Sequence, residues 1–221
     1  MRTVIFDLDG TLADTSGDLM AAANACFQAE GLGQPLDPEA DKLIAFHGGR
    51  AMLNFGLQKL GRQNTADFID AQYPRLLEHY GNNIDKFTVL YPDCIAAVDA
   101  LLASDYRVGV CTNKPEGLAD TLLTRLGVRD RFASLVGADT LPVRKPDAAP
   151  YIAAVERAGG AVSQSLLVGD TDTDVKTAQA AEVPVVLVGF GPEGDRVARH
   201  TPDAILPDYS QLGRIVQLLI G

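Results

Sequence analysis

Thr3-Val4-Ile5-Phe6-Asp7-Leu8-Asp9-Gly10-Thr11-Leu12 is the stretch from which the fold can be read. Its apolar run over 3–8 stops at an Asp-Gly turn, the pattern of a short buried strand. Side chains two apart on a strand share a face, so Asp7 and Asp9 point the same way unless the turn intervenes. Two carboxylates at one strand end repel, and a folded chain tolerates that only with a cation or proton between them. Gly10 permits the tight turn, and Thr11 can hydrogen-bond locally to hold it.

Similar short apolar runs follow at Arg107–Cys111, Ser134–Val136, Ser165–Val168 and Val185–Val188. Between them lie helically spaced stretches at Pro92–Ala103, Pro115–Leu126, Ala148–Ala158 and Asp174–Ala181, with a last one over Tyr209–Ile220. Asp147 and Thr173 stand at N-cap positions of the third and fourth. Strands alternating with helices predict an α/β fold: a Rossmann-like parallel sheet with helices on both faces. In such sheets chemistry gathers where strand C-termini meet loops.

The region 15–87 breaks the alternation. It carries helical patterns over Leu19–Glu30, Pro38–Phe46, Ala51–Leu60 and Ala66–Tyr80 and no strand. With no Pro- or Gly-rich linker, an all-helical domain inserted after the first strand's loop explains it better than two domains in series. The expected division is therefore 1–14 plus 88–221 as the α/β core and 15–87 as the insert.

Bulk properties narrow the function. The 221 residues are 47% hydrophobic and 22% charged, ordinary for a globular protein. A formal net charge of −10 disfavours nucleic acid or an anionic membrane as partner. Three scattered cysteines without a C-x-x-C argue against a disulfide scaffold or structural zinc. No run reaches the length of a signal peptide or membrane span, and a cytoplasmic protein is expected.

Three further motifs fall at strand ends. Thr112-Asn113-Lys114-Pro115 places a hydroxyl and backbone N–H groups at a helix N-terminus, a natural anion site. Arg144-Lys145-Pro146-Asp147 taken alone reads as an exposed loop. Gly169-Asp170-Thr171-Asp172-Thr173-Asp174 packs three acids into five residues between a strand and a helix, and Asp172 reads as solvated or as supporting the site from outside. Cys111 reads as a small buried packing residue.

With these four motifs in order, the chain resembles the haloacid dehalogenase-like hydrolases, a superfamily dominated by phosphatases, and the likeness covers nearly its whole length. The resemblance implies Asp7 as nucleophile and Asp9 as general acid and base. It implies Thr112, Asn113 and Lys145 as phosphoryl-binding residues, with Lys145 also neutralising the nucleophile. Asp7, Asp170 and the backbone carbonyl of Asp9 would hold Mg²⁺, Asp174 would position Lys145 or a water, and Gly10 and Thr11 would support the loop. Lys114 either adds charge or is solvated.

The helical insert resembles the superfamily's cap. The residues Asp14-Thr15, Thr112 to Pro115 and Lys145-Pro146-Asp147-Ala148-Ala149-Pro150 look most like phosphoglycolate phosphatase-like members. In Ala180-Ala181-Glu182-Val183-Pro184, Glu182 stands where such proteins carry Gly, which puts the local turn in question. His47-Gly48-Gly49-Arg50 matches a Gly-containing loop that reaches substrate. Arg50 would either fork onto a substrate carboxylate or sit in solvent at a helix start. The implied activity is Mg²⁺-dependent hydrolysis of a small phosphorylated metabolite through an aspartyl-phosphate, with 2-phosphoglycolate the first candidate. A phosphosugar mutase of the β-phosphoglucomutase type, another sugar-phosphate, nucleotide or pyrophosphate phosphatase, and a non-catalytic binding protein are the alternatives.

Overall fold

The computed structural model describes residues 1–63 and 65–221. The opening stretch forms β1 (Thr3–Phe6), with all four residues buried. An apolar run of this length satisfies its backbone only between two neighbours, and β1 has both. It pairs in parallel with β4 (Arg107–Cys111) on one side and β6 (Ser165–Gly169) on the other. The sheet extends outward to β5 (Ser134–Val136) and, on the other side, to β7 (Val185–Val188) and β8 (Ala204–Leu206). The order is β5-β4-β1-β6-β7-β8, parallel throughout.

Five of these strands are those read from the sequence. The sixth, β8, follows a 3₁₀ stretch over Gly194–His200 and buries only Leu206 of its three residues, so no buried apolar run marks it. One face of the sheet, with Ile5, Cys111, Val136, Leu167, Val185 and Leu187, packs on Tyr151, Ala154 and Val155 of α7 (Ala148–Arg157) and on Val175 and Ala178 of α8 (Asp172–Ala181). Against the sheet also lie α5 (Cys94–Ala103), α6 (Glu116–Arg125) and α9 (Leu212–Ile220). The chain that crosses from the β5 side of β1 to β6 creates a reversal of strand order beside β1, where open α/β sheets place their sites.

The chain divides into two compact units, residues 1–13 with 90–221 and residues 14–89. The second contains α1 (Ser16–Ala29), α2 (Lys42–Ala45), α3 (Gly49–Lys59) and α4 (Ala66–Asn82). The stretch expected as a helix over 38–46 is helical only at its end, because Asp37 instead caps a turn by accepting the N–H groups of Glu39 and Ala40. Met20, Phe27, Met52, Leu53, Leu57, Leu76 and Tyr80 form its interior. Asn24 pins the connection after α1 by exchanging two hydrogen bonds with the Leu36 backbone. Buried Asp18 accepts the N–H groups of Phe87 and Thr88 and the Thr88 hydroxyl, tying the unit's last residues to its first helix. The crossings between units are two-residue strands, β2 (Ala13–Asp14) and β3 (Val89–Leu90), which pair with each other.

Candidate active site

The β1 ladder runs one residue past the strand, where the Asp7 N–H donates to the Val168 carbonyl at 2.8 Å. The chain then turns sharply. The Leu8 carbonyl accepts from Thr11, Leu12 and Ala13 at 3.3, 2.9 and 3.1 Å, with Gly10 at a φ of 79° that other residues rarely adopt. This turn separates the two carboxylates that strand geometry would have aligned. Asp7 Oδ2 lies 2.9 Å from Lys145 Nζ, while Asp9 Oδ1 lies 2.9 Å from Lys114 Nζ. Each acid has its own lysine.

Lys145, which local sequence alone would place in solvent, is 1% exposed. Its ammonium bridges Asp7 and Asp174 Oδ1, the latter at 2.6 Å. Asp174 Oδ2 accepts from the Asp170 N–H, the Thr171 N–H and the Thr171 hydroxyl. The N-cap of α8 is thus Thr171, not Thr173 as the sequence suggested. Asp174 stands three residues after Thr171, which completes a capping box and starts the helix at Asp172. Gly169 makes room for this, since a Cβ there would come within 2.3 Å of the Asp174 carboxyl carbon.

Burial pushes the Asp7 carboxyl up to about 6, with Lys145 opposing and Asp174 adding to the rise. The Asp170 carboxyl is raised well above its ordinary range by burial first, then by Asp174 and Asp7. Burial alone would lower the Lys145 pKa, but Asp174 and Asp7 outweigh it and hold the ammonium charged.

Thr112, buried at the end of β4, continues the ladder by donating its N–H to Val136, and its Oγ1 accepts the Lys114 N–H at 3.2 Å. Asn113 donates its amide to the Lys145 carbonyl at 3.1 Å, joining the second and third motif loops. Lys114 is 4% exposed. The sequence leaves its role open, and the one signal that marks it is position: it follows a strand-end Thr-Asn and precedes a helix-starting Pro. Asp172 is half exposed and pairs with Lys176 one helical turn on. Arg50 lies near the start of α3 on the surface of the helical unit, 2.7 Å from Asp70 and over the Tyr73 ring.

Carboxylate oxygens of Asp7, Asp170 and Asp174 come within 4.8 Å of one another. Both Asp174 oxygens already accept donors, as a residue that positions Lys145 requires. Asp170 differs: Thr11 Oγ1 donates to Oδ1 at 3.2 Å, while buried Oδ2 has no hydrogen-bond partner. A buried carboxylate oxygen without a donor costs on the order of 1–3 kcal/mol, and a hard cation relieves that. Acidic groups also outnumber cationic ones here, with Asp7, Asp9, Asp170 and Asp174 standing against Lys114 and Lys145. The donor set suits Mg²⁺.

An open parallel sheet with an acid–lysine centre on its strand ends defines an α/β enzyme. The chain belongs to the haloacid dehalogenase-like hydrolases, whose family profile matches residues 4–188. A phosphoglycolate phosphatase of Rhodospirillum rubrum is 41% identical over 216 residues, covering 96% of this chain and 89% of that protein. One of Agrobacterium fabrum is 36% identical, covering 94% and 89%. Among solved structures, that of a predicted phosphoglycolate phosphatase from Haemophilus somnus superposes with a TM-score of 0.86 at 26% identity and 98% coverage of both chains.

Proposed function

We propose that this phosphatase hydrolyses a small phosphorylated metabolite, 2-phosphoglycolate first, through an aspartyl-phosphate on Asp7 at a Mg²⁺ centre. The observation that carries the reading is buried Lys145 spanning Asp7 at 2.9 Å and Asp174 at 2.6 Å. It keeps the Asp7 carboxylate oriented and partly neutralised, so that an anionic phosphoryl group can approach it. The first candidate substrate follows from the relatives, which are phosphoglycolate phosphatases over nearly their whole length.

In the first step an Asp7 carboxylate oxygen bonds to phosphorus while the bond from phosphorus to the leaving oxygen breaks. Asp9 gives that oxygen its proton. In the second step Asp9 takes a proton from water, which attacks phosphorus and releases Asp7 and inorganic phosphate. Thr112, Asn113 and Lys145 bind the phosphoryl oxygens, and Asp174 holds Lys145 in place. Asp7, Asp170 and the Asp9 carbonyl would hold Mg²⁺, which would offset the charge that accumulates on the transferring group. In this reading the helical insert expected over 15–87 is the cap domain, and Arg50 is its candidate partner for a substrate carboxylate. All three cysteines are buried and free, which suits a cytoplasmic enzyme. Among the described residues no helix is long and apolar enough to cross a membrane.

The test is phosphate release with Mg²⁺ across phosphoglycolate, sugar phosphates, nucleotides and pyrophosphate, alongside Asp7→Asn. Phosphoglycolate should lead in kcat/KM, and Asp7→Asn should lose both turnover and any acid-stable phosphoenzyme. Substantial turnover by Asp7→Asn would remove Asp7 as nucleophile. An isomeric sugar phosphate accumulating with little free phosphate would make the protein a mutase.

A further inference from the structure

Tyr209 lies outside the residues the family profile matches, in a 3₁₀ turn over Tyr209–Gln211 that leads into α9. It is 2% exposed. A phenol hydroxyl is buried at a cost unless it finds a partner, and this one donates to the Thr11 carbonyl at 2.8 Å. Thr11 is itself fully buried and donates its hydroxyl to Asp170 Oδ1 at 3.2 Å. One residue of the nucleophile turn is therefore fixed at its backbone by Tyr209 and at its side chain by Asp170.

Aromatic rings also pack behind Tyr209. Tyr209 packs on Phe190 with centroids 5.2 Å apart, and Phe190 meets Tyr91 at 5.1 Å. The residue after Phe190, Gly191, approaches the same turn so closely that a Cβ there would lie 2.8 Å from the Gly10 carbonyl and 3.6 Å from Asp170 Cβ. Two segments downstream of β7 thus press on the nucleophile turn and on Asp170.

We propose that Tyr209 is a positioning residue for the cation carboxylate, acting through Thr11 on Asp170. With Oδ1 held by Thr11, rotation of the carboxyl is restricted and Oδ2, the oxygen without a hydrogen-bond partner, keeps one direction. Partners behind a metal ligand set its orientation in this way. Burial raises the Tyr209 pKa well above that of an ordinary phenol, so the hydroxyl stays a donor. The inference rests on the reading of Asp170 as a Mg²⁺ ligand.

Calorimetric titration of Mg²⁺ into the 221-residue protein, Tyr209→Phe, Thr11→Val and the double variant tests it, with no turnover required. Tyr209→Phe should weaken Mg²⁺ binding about three- to tenfold, below the roughly 10–100-fold typical of a partner bonded directly to a ligand. Thr11→Val should weaken it more, and Tyr209→Phe should add nothing in that background, because the effect passes through Thr11. Unchanged Mg²⁺ affinity in Tyr209→Phe, or losses that simply add, would overturn the proposal. Phe190→Leu loosens the ring packing but keeps the hydroxyl and should stay within about twofold of the parent. A loss there equal to that of Tyr209→Phe would assign the effect to packing and also overturn it. Absence of Mg²⁺ binding by the parent protein would instead remove the metal reading itself.

Discussion

Lys114 Nζ and Asp9 Oδ1 stand 2.9 Å apart, the same separation as Lys145 Nζ and Asp7 Oδ2. The lysine side chains are 4% and 1% exposed, and the aspartates 19% and 13%. The turn after β1 therefore offers two partly open carboxylates, each anchored from behind by a buried ammonium. One pair belongs to the proposed nucleophile and the other to the proposed proton carrier.

This pairing predicts that Lys114→Met slows turnover in a way that depends on the leaving group. Without its anchor the Asp9 carboxylate loses its fixed direction, and general acid–base help of the kind worth roughly 10²–10⁴-fold is partly lost. Alkyl phosphates need a proton on the departing oxygen, whereas p-nitrophenyl phosphate needs it far less. Lys114→Met should therefore cut kcat/KM for phosphoglycolate by about 10–100-fold and for p-nitrophenyl phosphate by much less. Lys114→Arg should recover part of the loss. Equal losses on both substrates would show that Lys114 acts on phosphate binding and not through Asp9.

Mg²⁺ should stabilise the protein strongly at neutral pH and weakly in acid. The folded-state pKa of Asp7 is raised from 3.8 to about 6, so between those values the folded protein holds more protons than the unfolded chain. The stability tied to that proton is complete below about 3.8 and is lost as pH rises through about 6. Asp170, also raised, adds in the same sense. A cation competes with these protons, so its stabilising effect grows as they leave. Hydrogen bonds hold Asp37 and Asp208 low, which makes their own pH trend opposite. The quantity to measure is thus the difference in Tm with and without Mg²⁺ from pH 5 to 8. A difference that does not grow with pH would argue against Asp7 and Asp170 as ligands.

Much of this architecture was legible because buried parallel strands are short unbroken apolar runs, and five of six declared themselves that way. β8 did not: it is as short as β5, but of Ala204, Ile205 and Leu206 only the last is buried, so it lacks the demand for an unbroken apolar run. The site residues were legible as motifs, but their partners were not. Nothing local says that Lys114 and Lys145 are buried, because both owe burial to acids more than 28 residues away in sequence or across the sheet. The Thr11–Tyr209 bond joins residues 198 apart, a distance at which single-sequence patterns carry no signal.

Glu182 is a case where a sequence doubt acquires a physical answer. It ends α8 at φ 56° and ψ 43°, the left-handed conformation that Gly adopts without a Cβ penalty. A residue with a Cβ there costs about 1 kcal/mol or somewhat more. Glu182→Gly should raise stability by about 1 kcal/mol, which for a chain of this size is a Tm increase of roughly 2–4 °C. Turnover should be unaffected, since Glu182 closes the helix at the end opposite Asp170. Thermal melts of the two proteins decide it, and a lower Tm for Glu182→Gly would mean that Glu182 makes contacts worth more than its strain.

Arg50 gives the last prediction, which concerns substrate choice. Its pair with Asp70 is exposed on both sides, 57% and 66%, and such pairs are worth only about 0–1 kcal/mol. Exchange of Asp70 for a substrate carboxylate therefore costs little, and the Tyr73 ring 4.8 Å away keeps the guanidinium oriented. A charge-assisted bond to a carboxylate contributes about 1.5–3 kcal/mol, or roughly 10–100-fold in affinity. Arg50→Ala should raise KM for phosphoglycolate by about that factor. Its kcat, and both constants for ethyl phosphate, which has no carboxylate, should change little. Asp70→Asn, by releasing the guanidinium, should lower KM for phosphoglycolate modestly. Equal effects of Arg50→Ala on both phosphates would place Arg50 outside substrate recognition and leave the Asp70 pair as its whole role.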